Sequence, residues 1–327
     1  EQKVASCLVN PRACHETELN YLPTEKKKKI AVVGAGPAGL AASTIAAQRG
    51  HDVTLFDADK EIGGQFNMAK QIPGKEEFYE TIRYFNTQIA LHQVTVKLNT
   101  RVKAEDLQNE GFDEVILATG IQPRTPKMEG IGHPKVVNYI DVLKLKKPVG
   151  KRVAVIGAGG IGFDVSEYIA HEGESTSLNI DAWLKEWGID KTMTARSGIE
   201  GVQAVVHPSP REIFMFKRSK GKFGANLGKT TGWIHRSTLK KKNVQFINNV
   251  QYTKIDDEGL HYVQNEEQKV LAVDTVIICA GQLPLKELFA PLEAAGIKVH
   301  VVGGADVASE LDAKRAINQA SRLAAEI

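Results

Sequence analysis

The chain has 327 residues, 42% of them apolar and 25% charged, the balance of a globular protein long enough for two domains. A net charge of +3 gives no argument for nucleic acid, and no run of about 18 apolar residues marks a membrane span or a secretory leader. The three cysteines, Cys7, Cys14 and Cys279, form no C-x-x-C pair, so a dithiol relay has no residues to run on, and their usage suits a reducing cytoplasm.

The chain opens without an initiator Met, inside a cysteine-containing loop sequence, and is expected to be a fragment. Residues 1–28 read as an irregular lead-in, with Pro11 and Pro23 opposing regular structure. The lysines at 26–29 read as its solvated end. Ile30-Ala31-Val32-Val33 is an apolar strand that runs into Gly34-Ala35-Gly36-Pro37-Ala38-Gly39 and a helix rich in small residues, stopping at Gly50. Residues 53–57 form a second strand ending in Asp57, 18 residues beyond Gly39. This spacing is that of a dinucleotide fingerprint. Its first glycine permits the tight turn, the second lets pyrophosphate approach the backbone, and the third lets helix and strand pack closely. Asp57 is then placed to accept from a ribose hydroxyl.

Gly63-Gly64-Gln65 predicts a turn, followed by a helix near 75–91 and short strands at 94–98 and 113–118, the last leading into Ala118-Thr119-Gly120. A polar segment at 145–150 precedes a second strand–turn–helix unit: Val153-Ala154-Val155-Ile156, then Gly157-Ala158-Gly159-Gly160-Ile161-Gly162. About 37 residues at 173–209 delay the return strand, far more than a crossover needs. Within them, residues 181–187 predict a short amphipathic helix. Trp183 and Trp187 are either anchors that fold it back on its own domain or part of a docking surface.

The return strand at 212–216 ends in Lys217-Arg218-Ser219-Lys220, with no carboxylate. Arg218 and Lys220 are therefore candidates for a 2′-phosphate, which points to NADPH at this site and FAD at the first. Gly228-Lys229-Thr230 lacks the leading glycine of a P-loop and reads as a basic turn at a helix start. His235 is surface or core, with no spacing that marks it as catalytic. A helix at 231–242, a strand at 243–247, a hairpin-like 250–272 and a buried strand at 273–279 complete the second unit. Val299-His300-Val301-Val302-Gly303-Gly304-Ala305-Asp306 opens a strand–helix tail.

The fold class is thus α/β, with two Rossmann-like three-layer nucleotide-binding domains. The expected first domain is discontinuous, 29–147 plus 275–327, and binds FAD. The second, 148–274, binds NADPH and carries the insertion at 173–209. No catalytic triad or metal array emerges, so the chemistry is expected to belong to the cofactors.

Several segments carry a more specific likeness. Cys7-Leu8-Val9-Asn10-Pro11-Arg12-Ala13-Cys14, Glu61-Ile62-Gly63-Gly64-Gln65-Phe66, Pro73-Gly74-Lys75-Glu76-Glu77-Phe78, residues 228–236 and Gly304-Ala305-Asp306-Val307 resemble the C-terminal half of the bacterial 2,4-dienoyl-CoA reductases. These belong to the old-yellow-enzyme and trimethylamine-dehydrogenase-like iron–sulfur flavoproteins. The resemblance implies domains of the glutathione-reductase and adrenodoxin-reductase type and a place in β-oxidation of unsaturated fatty acids. It implies that NADPH reduces FAD and that electrons cross a 4Fe-4S cluster to FMN in an N-terminal barrel, where the dienoyl-CoA is reduced. Carried over by position, Gly34, Gly36, Ala38, Gly39, Asp57, Gly64, Gln65, Thr119, Gly120, Gly304 and Asp306 hold FAD. Gly157, Gly159, Gly162, Arg218 and Lys220 hold NADPH. Cys7 alone matches a cluster ligand, so the chain by itself is expected to be at most a diaphorase whose partner is the FMN barrel and iron–sulfur segment of the same polypeptide. Alternatives are the reductase half of an enoate reductase or amine dehydrogenase, and a nucleotide-binding module without redox work.

Overall fold

The computed structural model describes residues 4–309 and 312–327. It divides into two units: unit 1 holds the chain up to 67, 77–122 and 282–327, and unit 2 holds 68–76 and 123–281.

Unit 1 begins with residues 4–28, which carry no helix or strand. Leu19 is nonetheless buried, and Val9 and Tyr21 pack against the core. Then come β1 (Lys29–Val33), α1 (Pro37–Gln48), β2 (Asp52–Phe56), the short α2 (Phe66–Ala69) at the unit boundary, α3 (Phe78–Leu91), β3 (Thr95–Lys97), α4 (Ala104–Asn109) and β4 (Glu114–Leu117). Pro37 opens α1 at a position where its missing N–H costs no hydrogen bond. β5 (Ile121–Pro123) leads out of the unit.

Unit 2 continues with β6 (Val136–Asn138), α5 (Tyr139–Leu143), β7 (Arg152–Ile156), α6 (Gly160–Ile169), α7 (Ile180–Trp187), β8 (Glu212–Phe216), α8 (Gly232–Lys241) and β9 (Gln245–Ile247). β10 (Val250–Asp256), β11 (Gly259–Gln264) and β12 (Glu267–Leu271) form an antiparallel meander, and β13 (Thr275–Ile278) returns to the main sheet. That sheet is parallel, in the order β6-β13-β7-β8-β9. Its Ala154, Ile156, Phe214 and Phe216 share a core with Val250, Leu260 and Tyr262 of the meander. The boundaries expected at 147/148 and 274/275 differ from those observed at 122/123 and 281/282. The reason is β6: its residues pair in parallel with β13, Val136 opposite Val276, which draws 123–147 into unit 2. A three-residue strand leaves no periodicity to read.

The insertion folds back on unit 2. Asn179 caps α7 by accepting from the Ala182 N–H (3.1 Å), and Gly188 ends it in a left-handed conformation, φ 69°. Lys241 Nζ of α8 sits 3.9 Å from the centre of the Trp187 ring, and Lys242 Nζ donates to the His207 carbonyl (2.7 Å). Trp187 is thus the anchor, while Trp183 stays 40% exposed.

Unit 1 resumes with β14 (Gln282–Pro284), α9 (Phe289–Ala294), β15 (Lys298–Val301) and α10 (Ala313–Glu326). Its five strands run in the order β15-β4-β1-β2-β3, all parallel. One face packs Ile30, Val32, Leu55 and Ile116 against Leu40 of α1 and Ile317 and Ala320 of α10. The other packs Ala31, Phe56, Val115 and Leu117 against Leu107 of α4 and Leu292 of α9. Burial on both faces explains why β1 reads as the apolar run Ile30–Val33. At the foot of this sheet the buried Glu114 carboxylate is met by Lys28 Nζ (2.6 Å), Lys298 Nζ (3.1 Å) and His300 Nε2 (2.6 Å). The lysine run is therefore not wholly a solvated end. Burial would raise Glu114, but the hydrogen bonds from Lys28, His300 and Lys298 overrule it and hold the carboxyl at about 2. Among the described residues no helix is long and apolar enough to cross a membrane.

Candidate functional site

In unit 1 the turn after β1 is closed from beneath. Gly34 has φ +106°, and a Cβ there would lie 2.4 Å from the Ala118 carbonyl oxygen; one on Gly39 would lie 1.7 Å from that of Gly34. Gly36 differs: a Cβ on it would meet nothing nearer than Gly64 Cα at 4.0 Å. Gly36 is also the N-cap of α1, and no side chain caps its amides. The turn therefore leaves an open cradle at a helix N-terminus, where an anion is stabilised.

Asp57, just past β2, accepts from the Ala35 N–H (2.5 Å) and the Asp59 N–H (2.7 Å), which fixes the carboxylate beside the turn. It lines a cavity of about 150 Å³ with Gly34, Phe56, Thr119 and Leu288. Thr119 Oγ1 donates to the Leu285 carbonyl, and Gly120 carries the chain through φ +76°. Gly63 N–H donates to the Ala35 carbonyl (2.8 Å), which seats Gly64 and Gln65 next to the cradle. From the other side, Gly303 approaches Ala38 so closely that a Cβ would lie 2.9 Å from the alanine Cβ. Gly304 is buried, and exposed Asp306 accepts from Gln319 Nε2 (2.8 Å), whose Oε1 accepts from the Gly303 N–H (2.8 Å).

Unit 2 repeats the device. A Cβ on Gly157 would lie 2.3 Å from the Cys279 carbonyl oxygen and one on Gly162 would lie 1.9 Å from that of Gly157, whereas one on Gly159 would meet nothing within 4 Å. Gly159 is the N-cap of α6, again without a side-chain cap. The cavity in front of it is about 740 Å³ and is lined by Gly157, Gly159, Lys217, Arg218, Ser219, Asn226, Tyr252 and Arg124 among others, with no acidic residue in its lining. Lys220 is exposed just beyond the lining, and so are Gly228 to Thr230, which lead into α8 as a basic turn. Among the described residues no protein carboxylate bonds Arg218 or Lys220.

Behind α6 lie two ion pairs: Lys75 with Asp164 (2.5 Å) and His235 with Glu167 (2.8 Å), the Glu167 side chain only 5% exposed. Burial pushes Glu167 up despite His235, and the hydrogen bond that His235 donates to Glu167 raises His235 against its own burial. Burial, with Asp164 nearby, also pushes the Cys279 thiol up, so it packs as a neutral group under the glycine turn. Cys7 and Cys14 are exposed. Backbone hydrogen bonds from Asn10 and Val9 hold the Cys7 thiol below its ordinary value.

The model of the pyridine nucleotide-disulphide oxidoreductases matches residues 28–315. The chain belongs to this family. It is a flavin- and NAD(P)H-dependent electron-transfer module of the pyridine nucleotide-disulphide oxidoreductases, with their α/β Rossmann-type architecture. A metal reductase of Desulforamulus reducens is 29% identical over 93% of this chain and 45% of its own length. A cinnamate reductase of Clostridium sporogenes is 28% identical over 92% and 40%. Among solved structures, 2-naphthoyl-CoA reductase in complex with 2-naphthoyl-CoA superposes with a TM-score of 0.82 at 27% identity, covering 98% of this chain and 43% of that one. The chain thus spans less than half the length of these relatives.

In this oxidoreductase module several residues escape sequence reasoning. Gln319 sits on the amphipathic α10, where a glutamine reads as surface. Tyr252 and Arg124 reach the second cavity from segments with no motif, and the Glu167–His235 pair joins two helices 68 residues apart.

Proposed function

We propose that the chain is the electron-input half of an NADPH-dependent 2,4-dienoyl-CoA reductase, with FAD held by unit 1 and NADPH by unit 2. The observation that carries the reading is the second cavity, where an open glycine cradle faces Lys217 and Arg218 and no carboxylate. A carboxylate there would accept from a ribose 2′-hydroxyl and repel a 2′-phosphate; cations do the reverse.

Gly34, Gly36, Ala38 and Gly39 shape the bed for the FAD pyrophosphate, and the α1 amides donate to it. Asp57 keeps lone pairs for ribose hydroxyls while its bonds to Ala35 and Asp59 hold it still. Gly64, Gln65, Thr119, Gly120, Gly304 and Asp306 border the same cradle or its flanks. Gly157, Gly159 and Gly162 repeat the bed for NADPH, with Arg218 and, from farther out, Lys220 on the 2′-phosphate. Together the bound cofactors supply hydride transfer from nicotinamide to flavin. The protein's share is to bind and orient the two nucleotides.

The resemblance of five segments to the dienoyl-CoA reductases supports the finer reading, in which a further part of the whole cytoplasmic protein carries FMN and a 4Fe-4S cluster with Cys7 as one ligand. The likeness to 2-naphthoyl-CoA reductase, whose name points to a thioester of CoA, supports an acyl-CoA substrate. The likeness to cinnamate reductase supports a second reading, the reductase half of an enoate reductase. The chain is tested by adding FAD, recording the visible spectrum, and titrating anaerobically with NADPH and NADH. A flavin bleached preferentially by NADPH is expected. Equal bleaching by NADH removes the phosphate-pocket assignment, and no bound flavin removes the assignment of unit 1. Assays of the whole protein on a 2,4-dienoyl-CoA and on cinnamate separate the two substrate readings.

A further inference from the structure

The meander of unit 2 is irregular at one place. β10 and β11 pair regularly from Val250 opposite Gln264 to Tyr252 opposite Tyr262, and the register then shifts between Tyr252 and Lys254, leaving Thr253 as an extra residue. Such a bulge bends its strand and re-aims the neighbouring side chain. Here that neighbour is Tyr252, which is half-buried, meets Phe216 at the end of β8 in an edge-to-face contact (centroids 6.2 Å apart, 67°), and lines the same cavity as Arg218 and Ser219. Arg218 is near enough for its charge to act on the phenol. Among the described residues no protein group hydrogen-bonds the Tyr252 hydroxyl.

We propose that Tyr252 is a specificity-determining residue of the dinucleotide site, its hydroxyl donating a hydrogen bond to the 2′-phosphate beside Arg218. The inference rests on the NADPH reading of unit 2 and adds to it a reader that comes from the meander rather than from the strand-end loop. Phe216, the last residue of β8, packs edge-to-face on the ring and lines the same cavity, so the tyrosine side chain has little freedom to lose on binding. Burial raises the phenol well above its ordinary value, with Arg218 opposing, so the group stays a donor throughout the neutral range. An uncharged donor next to a guanidinium adds a directional bond to an anion that the guanidinium already attracts, and it gives nothing to a free 2′-hydroxyl that a water does not give.

The experiment uses the full chain and two probes that need no flavin, 2′,5′-ADP and 5′-AMP, titrated by calorimetry against wild type, Tyr252→Phe, Arg218→Ala and the double variant. The phenylalanine keeps the ring packing, and thermal melts confirm that each variant is folded. Tyr252→Phe is expected to weaken 2′,5′-ADP about tenfold and leave 5′-AMP unchanged. The double variant is expected to lose less than the product of the two single losses, because both residues address one phosphate. Equal weakening of both probes would make Tyr252 a wall of the adenosine slot, and no weakening of either would make it a packing residue; both overturn the inference while the NADPH reading stands. A wild type that binds the two probes alike overturns the NADPH reading and this inference with it.

Discussion

Gly159→Ala and Gly162→Ala differ by three positions in one fingerprint and should fail in opposite ways. The Gly159 backbone lies at φ −86°, open to any residue, and its new methyl would meet nothing within 4 Å. Alanine reduces the freedom of the unfolded chain but is a poorer N-cap than glycine, so the net change in stability should stay within about 1 kcal/mol. The methyl instead occupies the cradle. It holds a pyrophosphate off the α6 amides, and each charge-assisted hydrogen bond lost is worth about 1.5–3 kcal/mol. NADPH binding should weaken roughly a hundredfold if one to two such bonds go. At Gly162 the added Cβ would lie 1.9 Å from the Gly157 carbonyl oxygen, against an ordinary C···O approach of about 3.3 Å. Backbone has to move, at a cost of about 3 kcal/mol or more, which lowers the melting temperature by about 10 °C. Thermal melts and fluorescence titration with NADPH read both quantities. A Gly159→Ala chain that binds NADPH like wild type would refute the placement of the pyrophosphate. A Gly162→Ala chain of unchanged stability would refute the steric argument itself.

Three further outcomes follow from the charges. Arg218→Ala should reduce the preference for NADPH over NADH by about ten- to a hundredfold in paired titrations, and Lys220→Ala by less, since Lys220 lies outside the cavity lining. The Glu114 carboxyl, held at about 2 against an ordinary 4.5, stabilises the fold fully above pH 4.5 and loses that contribution as pH falls toward 2. Glu114→Gln should thus cost about 3 kcal/mol in urea melts at pH 7, and the gap from wild type should narrow below pH 4.5. His235→Ala leaves the buried Glu167 without its partner and should cost about 3–5 kcal/mol at neutral pH. Because His235 is raised from 6.5, its contribution in wild type is complete below pH 6.5 and is lost as pH rises past the raised value; a melt series from pH 6 to 9 shows the decline, absent in His235→Gln.

Both glycine turns were legible because strand, turn and helix are contiguous in each. Asp57 follows 18 residues beyond Gly39, whereas Arg218 lies past the insertion at 173–209 and could be singled out only because the strand at 212–216 runs straight into it. The unit boundaries were not legible, since they depend on β6 joining β13 across more than a hundred residues, and three residues make no pattern. The solvated reading of the lysine run missed Lys28, whose partner Glu114 lies 86 residues away. His235 gave no signal because its meaning lies in Glu167, which on its own is one more helical glutamate. Tyr252 depends on a register shift between two strands, and nothing in the residue types at 252–254 announces it.

Unit 1 draws β14, α9, β15 and α10 from residues that follow all of unit 2: β15 completes its sheet beside β4, and α10 covers α1. On the ribosome this sets a timetable. The nested unit has all of its strands once residue 281 has emerged, whereas the outer one still holds β4 as an open sheet edge and α1 without its α10 cover. The inner unit can therefore be finished first, and in the interval the exposed edge of the outer one is where a chaperone is most needed and where a chain stalled before β15 would be most prone to aggregate.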